Sequence, residues 1–175
     1  SFKTIVEQHV GELSLFRVFS GSYKSGEEIY NSTSSASERP TLIYNLIGKD
    51  RTEVPVVNCG DIGTFVKLKS TKTGDTLCSK QMQIELSPLV FPDPVMDVAV
   101  YPKTKGEEDK VAQGFNKLRD EDPSFKVRND PELRQIILEG LGGLHVDVLT
   151  ERFKRKFGVE IELKAPKIPY RETIT

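Results

Sequence analysis

The chain predicts a mainly β region followed by an α+β domain: a small closed β-barrel over residues 1–90, then a ferredoxin-like β-α-β-β-α-β domain over 91–165, with 166–175 as a linker. Three observations carry this. The first half holds many short strand-like runs with close turn signals and almost no helical period. Pro88, Pro92 and Pro94 fall within one short stretch and stiffen it, which places a boundary near residue 91. Beyond that boundary, strand and helix periods alternate in the order of a split β-α-β unit.

In the first half, Phe2–Glu7 alternates partly and Leu13–Phe19 alternates well, with Gly11-Glu12 read as the turn between them. Ser20-Gly-Ser22 closes the second strand, and Lys24-Ser-Gly-Glu27 is a further turn. A third strand begins at Glu28-Ile-Tyr30. Asn31–Ser37 is polar and rich in serine and threonine, so it reads as a loop. Thr41–Ile47 is a fourth strand ended by Gly48. Ile62–Lys69 is a fifth, and Thr76-Leu-Cys78 follows the turn Lys72-Thr-Gly-Asp75.

In the second half, Val95–Tyr101 is a strand. Glu107–Glu121 is a helix with Val111, Phe115 and Leu118 on one face, and Gly114 inside it should cost about 1 kcal/mol relative to alanine. Asp122-Pro123 ends that helix. Phe125–Arg128 and Leu133–Leu138 are strands joined by Asn129-Asp-Pro131, and the second carries a short apolar run suited to burial. Gly140, Gly142 and Gly143 permit a sharp turn. From Leu144 the spacing becomes helical: His145, Leu149, Phe153 and Phe157 follow one another every fourth residue, roughly one stripe. Lys154, Arg155 and Lys156 suit the C-terminal end of the helix dipole, and Gly158 is a natural stop. Val159–Leu163 is the last strand, and Ala165-Pro-Lys-Ile-Pro169 reads as an exit linker. Strand, glycine turn and helix together form a stiff lever with a narrow hinge, which suits coupling rather than catalysis.

Composition narrows the functional classes. There are 25 Lys and Arg against 26 Asp and Glu, which argues against a general nucleic-acid coat while leaving room for a local basic patch. No apolar run approaches the roughly 20 residues needed to cross a bilayer, and no secretory leader is visible, so no membrane partner and a cytoplasmic location are expected. The abrupt start suggests a segment of a longer protein. Cys59, Cys78, His9 and His145 lack zinc-ligand spacing, and the cysteines read as small buried hydrophobes in a reducing compartment.

The chain carries no strong signature of catalytic chemistry. No glycine run ends in Gly-Lys-Ser or Gly-Lys-Thr. The amides of Gly140-Leu-Gly-Gly143 precede a helix and could meet an anion, but a tight turn bringing helix to sheet explains them as well. Glu107-Glu108 suits a helix start, and Asp120-Glu-Asp122 reads as a solvated loop. Two isolated histidines make no catalytic grouping. The third strand of the split unit, Leu133–Leu138, lacks the aromatic residues that RNA-recognition domains use for base stacking. Arg152, Lys154, Arg155 and Lys156 could touch phosphates but read first as a solvated helix face.

Gly21–Asn31, Gly60-Asp-Ile-Gly63, Thr73-Gly-Asp-Thr-Leu77, Phe91-Pro-Asp-Pro-Val95, Pro102-Lys-Thr-Lys-Gly106, Glu121-Asp-Pro-Ser-Phe125, Gly140-Leu-Gly-Gly-Leu-His145 and Pro169-Tyr-Arg-Glu-Thr-Ile174 resemble elongation factor G in order and spacing. The resemblance covers essentially the whole chain and implies that family's second domain, a translation-factor barrel, and its third, ferredoxin-like domain. It implies a ribosome-docking and coupling segment of a translocation GTPase, itself without catalytic residues, cofactor or metal. GTP and Mg²⁺ would belong to a preceding nucleotide-binding domain, and residues 166–175 would lead to a fourth domain. The implied partners are small-subunit ribosomal RNA, a small-subunit protein, and the parent's own nucleotide-binding and downstream domains. Positions matching the family's coupling and fusidic-acid-pocket region are Pro92, Pro94, Asp122, Ser124, Gly140, Gly142, His145, Leu149 and Arg152. Ribosomal RNA contacts would fall to Arg39, Lys49 and Arg51.

Three departures point to a divergent or second copy of the factor. Gly143 replaces the glutamate of Gly-Glu-Leu-His. Ser34-Ser-Ala-Ser-Glu-Arg39 replaces Lys-Gly-Arg-x-Glu-Arg, with two fewer positive charges. Ser124 replaces the common threonine. The alternatives are a paralogue acting in ribosome recycling or ribosomal protection and, in a different class, a free-standing ferredoxin-like ligand sensor.

Overall fold

The computed structural model describes residues 1–7 and 10–172, so His9 lies outside the described residues. The chain forms two compact units, Ser1–Val90 and Phe91–Thr175.

Unit 1 is a β-barrel assembled from three sheets. β1 (Lys3–Glu7), β2 (Gly11–Arg17), β9 (Ile62–Val66), β6 (Ile43–Ile47) and β7 (Asp50–Glu53) form one sheet in the order β1-β2-β9-β6-β7. β10 (Leu77–Cys78), β4 (Ile29–Asn31) and β5 (Ala36–Glu38) form a second, and β3 (Ser22–Lys24) pairs with β8 (Val56–Asn58). Phe16, Ile29, Ile43, Val57, Phe65 and Leu68 pack inside, with the Phe16 and Phe65 rings stacked at 4.0 Å.

Several local expectations for this half are corrected. Gly11 and Glu12 open β2 instead of forming a turn, and Gly11 pairs with Glu7. Lys24 ends β3. The supposed loop Asn31–Ser37 contains the last residue of β4 and the first two of β5. β9 stops at Val66 because Lys67 adopts a left-handed φ of 58°, which breaks a strand. β3, β5, β7 and β8 are three or four residues long, too short to show a period of two; their ladders with distant partners define them.

Unit 2 is a four-stranded antiparallel sheet with two helices. β11 (Met96–Pro102), α1 (Glu108–Glu121), β12 (Lys126–Asp130), β13 (Gln135–Gly140), α2 (Gly143–Phe157) and β14 (Ile161–Lys164) follow in the expected order. The sheet order β12-β13-β11-β14 places each β-α-β crossover around an intervening strand, the ferredoxin-like arrangement. Asn129 and Asp130 belong to β12; the turn lies at residues 131–134, where the Asp130 carboxylate accepts the Glu132 and Leu133 N–H groups and Arg134 takes a φ of 49°. Val98, Val100, Ile136 and Leu138 meet Val111, Phe115 and Leu118 of α1 and Val146, Leu149 and Phe153 of α2 in one core.

Gly114 lies where the two helices approach. A Cβ there would stand 2.5 Å from Phe153 Cε2, so the glycine that local propensity marks as a defect is required by the packing.

Candidate functional site

The site of interest lies where β13 turns into α2. Gly142 caps α2 with φ 157° and ψ 178°, a conformation that essentially only glycine adopts. One turn later the half-buried His145 faces back: the Leu141 N–H donates to its Nδ1 at 3.1 Å. Nδ1 is therefore the acceptor and Nε2 carries the proton. Nε2 stands 3.5 Å from Asp122 Oδ2, at the C-cap of α1, and the Phe125 ring meets the imidazole edge-on at 6.2 Å. Ser124 donates to Asp122 Oδ1 from its backbone N–H at 3.1 Å and its hydroxyl at 2.5 Å.

Burial by itself would raise the Asp122 carboxyl. The Ser124 hydrogen bonds, with His145 beside it, outweigh that and hold it below its ordinary 3.8. A carboxyl depressed on folding contributes stability that is present above its unfolded pKa and lost as pH falls through the folded one. The stability gap between the native chain and Asp122→Asn should therefore be constant near neutrality and shrink as pH falls below about 4. Denaturant titrations at several pH values check this; a gap that widens on acidification would contradict it.

A second clamp lies beside the first. Glu121, read from the sequence as part of a solvated loop, ends α1 with a side chain only 4% exposed. Arg152 donates to it at 3.2 Å, and Lys156 pairs with its other oxygen. The basic cluster of α2 is thus largely committed within unit 2: Arg152 and Lys156 to Glu121, and Lys154 to Glu160 at 2.6 Å. Two successive residues at the end of α1 are tied to three side chains spaced along α2. The end of α1 is thereby fixed to α2 at three points along its length.

Of the nine positions matching the coupling region, the structure joins Asp122, Ser124 and His145 directly. Gly140 adjoins them, a Cβ there lying 3.7 Å from His145 Nδ1. Pro94 precedes Val95, whose N–H donates to the Gly140 carbonyl at 3.0 Å, so the entry to β11 lies at the same end of the sheet. Pro92 is exposed two residues earlier, Gly142 shapes the turn, and Arg152 belongs to the Glu121 clamp. Leu149 is fully buried in the core, so its side chain packs rather than presents itself.

Gly143 is the first helical residue of α2, which has no acid in its first turn, and open space lies around its Cβ direction. Gly143→Glu should stabilise unit 2 by about 1 kcal/mol, through reduced chain freedom and a favourable dipole contact. A rise of several degrees in melting temperature checks it.

Unit 1 carries the second feature, an open cleft of about 610 Å³ whose lining includes Arg39, Tyr44, Lys67 and Lys69. Its one carboxylate, Glu38, accepts hydrogen bonds from the Lys69 and Ser70 N–H groups and the Ser70 and Thr71 hydroxyls. Burial pushes its pKa up, but these donors pull it down below 4.5 overall, leaving an anion already satisfied by the segment 69–71 that follows β9. Arg39 donates to the Gly26 carbonyl at 2.6 Å. Lys49 stands exposed in the β6–β7 turn, whereas Arg51 is paired to Glu7. The structure thus adds Lys67 and Lys69 to the candidate cations. The signal that could have found them is the alternating Lys67-Leu68-Lys69, which the strand reading absorbed.

A family model described as "Elongation factor G domain 2" matches residues 2–80, and one described as "Elongation Factor G, domain III" matches residues 91–165. Among solved structures, the crystal structure of a Thermus thermophilus protein superposes with a TM-score of 0.79 at 31% identity, covering 99% of this chain and 26% of that one. The chain therefore spans about a quarter of that protein's length. No helix among the described residues is long and apolar enough to cross a membrane.

Proposed function

Because the chain belongs to the elongation factor G family of translation factors, through its second and third domains, we propose that it is the ribosome-docking and interdomain-coupling segment of a factor that uses GTP to drive translocation of tRNA and mRNA. The observation that carries the reading is the tandem of those two family domains along one chain. Each supplies a feature with the chemistry its task needs.

Unit 1 supplies docking. Arg39, Lys67 and Lys69 present positive charge in one cleft whose carboxylate is internally satisfied. Such a cleft suits the phosphates of small-subunit ribosomal RNA, which attract cations whatever the sequence. Lys49 can add a peripheral contact. Arg51 is held by Glu7 and serves the barrel first.

Unit 2 supplies coupling. The His145–Asp122–Ser124 set and the Glu121 clamp tie the end of α1 to α2, and Gly142 leaves a sharp turn at the α2 N-terminus. A small-subunit protein and the parent's nucleotide-binding domain are the partners this end would meet. GTP and Mg²⁺ would act in that nucleotide-binding domain. The three departures at Gly143, Ser34–Ser37 and Ser124 favour a divergent copy of the factor, with recycling or ribosomal protection as the variant role.

The test is binding to small ribosomal subunits. Arg39→Glu/Lys67→Glu/Lys69→Glu should weaken it at least tenfold and flatten the dependence of log affinity on log salt by about 2. Unchanged affinity and slope would remove the cleft from the interface. Absence of binding by the unaltered chain would count against docking itself.

A further inference from the structure

β13 is covered on both faces. Ile136 and Leu138 face the helices, yet Gln135 and Ile137, which alternate with them, are each only 2% exposed. Ile137 is flanked in register by Ala99 and Arg128, and Arg128 is paired to Asp97 and Glu139. Gln135 is covered differently. Its Nε2 donates to the Lys167 carbonyl at 2.9 Å and its Oε1 accepts the Lys167 N–H at 3.0 Å. The side-chain amide thus pairs with one backbone residue as a neighbouring strand would. The Asp130 carboxylate, at 3.4 Å, takes a further contact from Nε2, and the Tyr101 hydroxyl reaches Oε1 at 3.5 Å.

We infer that Gln135 is a positioning residue that pins the chain after β14 to the sheet and so sets the course of residues 165–172. Local sequence offers those residues no element of their own: Ala165-Pro-Lys-Ile-Pro169 cannot form a regular ladder, since each proline lacks an N–H. A buried amide that reads one residue's N–H and C=O together fixes both position and direction, because no single hydrogen bond does so. Burial gives this pairing consequence, since an unpaired glutamine amide there would lose its water without replacement.

β13 then carries two features. Its C-terminal end, Gly140, adjoins the His145 turn; its N-terminal end, Gln135, holds Lys167, about 17 Å away along the strand. A movement imposed on the turn passes along a hydrogen-bonded central strand to the segment leaving the domain. That consequence for coupling rests on the function proposed above; the clip itself rests only on the geometry.

Amide hydrogen exchange tests the clip without a ribosome, so its outcome is independent of docking. In Gln135→Met, which keeps length and apolar volume, the Lys167 amide should exchange at least tenfold faster while Val98 and Leu138 keep their protection. Unchanged Lys167 exchange would overturn the inference, as would acceleration in step with Val98 and Leu138. Gln135→Asn, one methylene too short to reach, gives the same readout if the methionine variant does not fold. In the unaltered protein, scalar coupling across the hydrogen bond between the Lys167 nitrogen and the Gln135 Cδ should be detectable, and its absence would also overturn the clip.

Discussion

Phe153→Ala is expected to destabilise unit 2 by about 3–5 kcal/mol, the range for deleting a buried aromatic ring whose surroundings cannot collapse. Phe153 is fully buried. Its ring stacks on Phe115 at 4.4 Å and 9°, and meets Phe157 at 5.2 Å. Both neighbours are held by other contacts: Phe115 sits on α1 within the same core, and Phe157 ends α2. The void would therefore remain, losing dispersion contacts as well as transfer free energy. Urea unfolding followed through unit 2 amide resonances such as Leu138 measures the loss. A cost below about 1 kcal/mol would mean that the helices close over the gap.

Gly114→Val is expected to cost about 2–3 kcal/mol, against the direction of helix propensity. Valine forms helix better than glycine, so propensity alone forecasts a small gain. The packing forecasts the opposite. The first carbon of any side chain at 114 would stand 2.5 Å from Phe153 Cε2 and 3.1 Å from Phe157 Cδ2. Both are ring atoms in a filled core, so relief requires the helices to separate. The same unfolding measurement decides the sign, and a stabilised variant would show that the helix pair yields easily. The two substitutions should be non-additive, since Phe153→Ala removes the ring that valine would strike. The double variant should be more stable than the sum of the single losses implies.

This helix contact also sets the alignment of the two clamps. The α1–α2 packing brings Glu121 to Arg152 and Lys156, and Asp122 to His145. Loosening it would dissolve both clamps together. A substitution at the clamps alone leaves the ring stack in place. Comparing the two kinds of variant separates the contribution of the ring stack from that of the clamps.

Much of the site was legible along the chain, though in uneven ways. The turn from β13 into α2 could be read because its signals are local: a glycine-rich stretch, a helical stripe, and a histidine one turn into the helix. Asp122 and Ser124 came through the family resemblance, since Asp122 and His145 lie 23 positions apart and no periodicity spans that gap. Glu121 was misread because a run of three acids looks solvated unless the cations that cover it are known. Lys67 and Lys69 were read only as the end of the strand Ile62–Lys69, but Lys67 breaks that strand and both residues line the cleft with Arg39.

By itself the sequence determined which stretches become long strands and helices in unit 2, and, to within a residue, where α2 begins and ends. These follow from periodicity, proline and glycine, which act on the backbone within a few residues. Only the tertiary structure decided that Gly114 is an asset, that Gln135 holds Lys167, that Leu149 is buried in the core, and that four short strands of the barrel exist. Each depends on atoms brought together from distant parts of the chain, and the energy of such contacts has no local sequence signature.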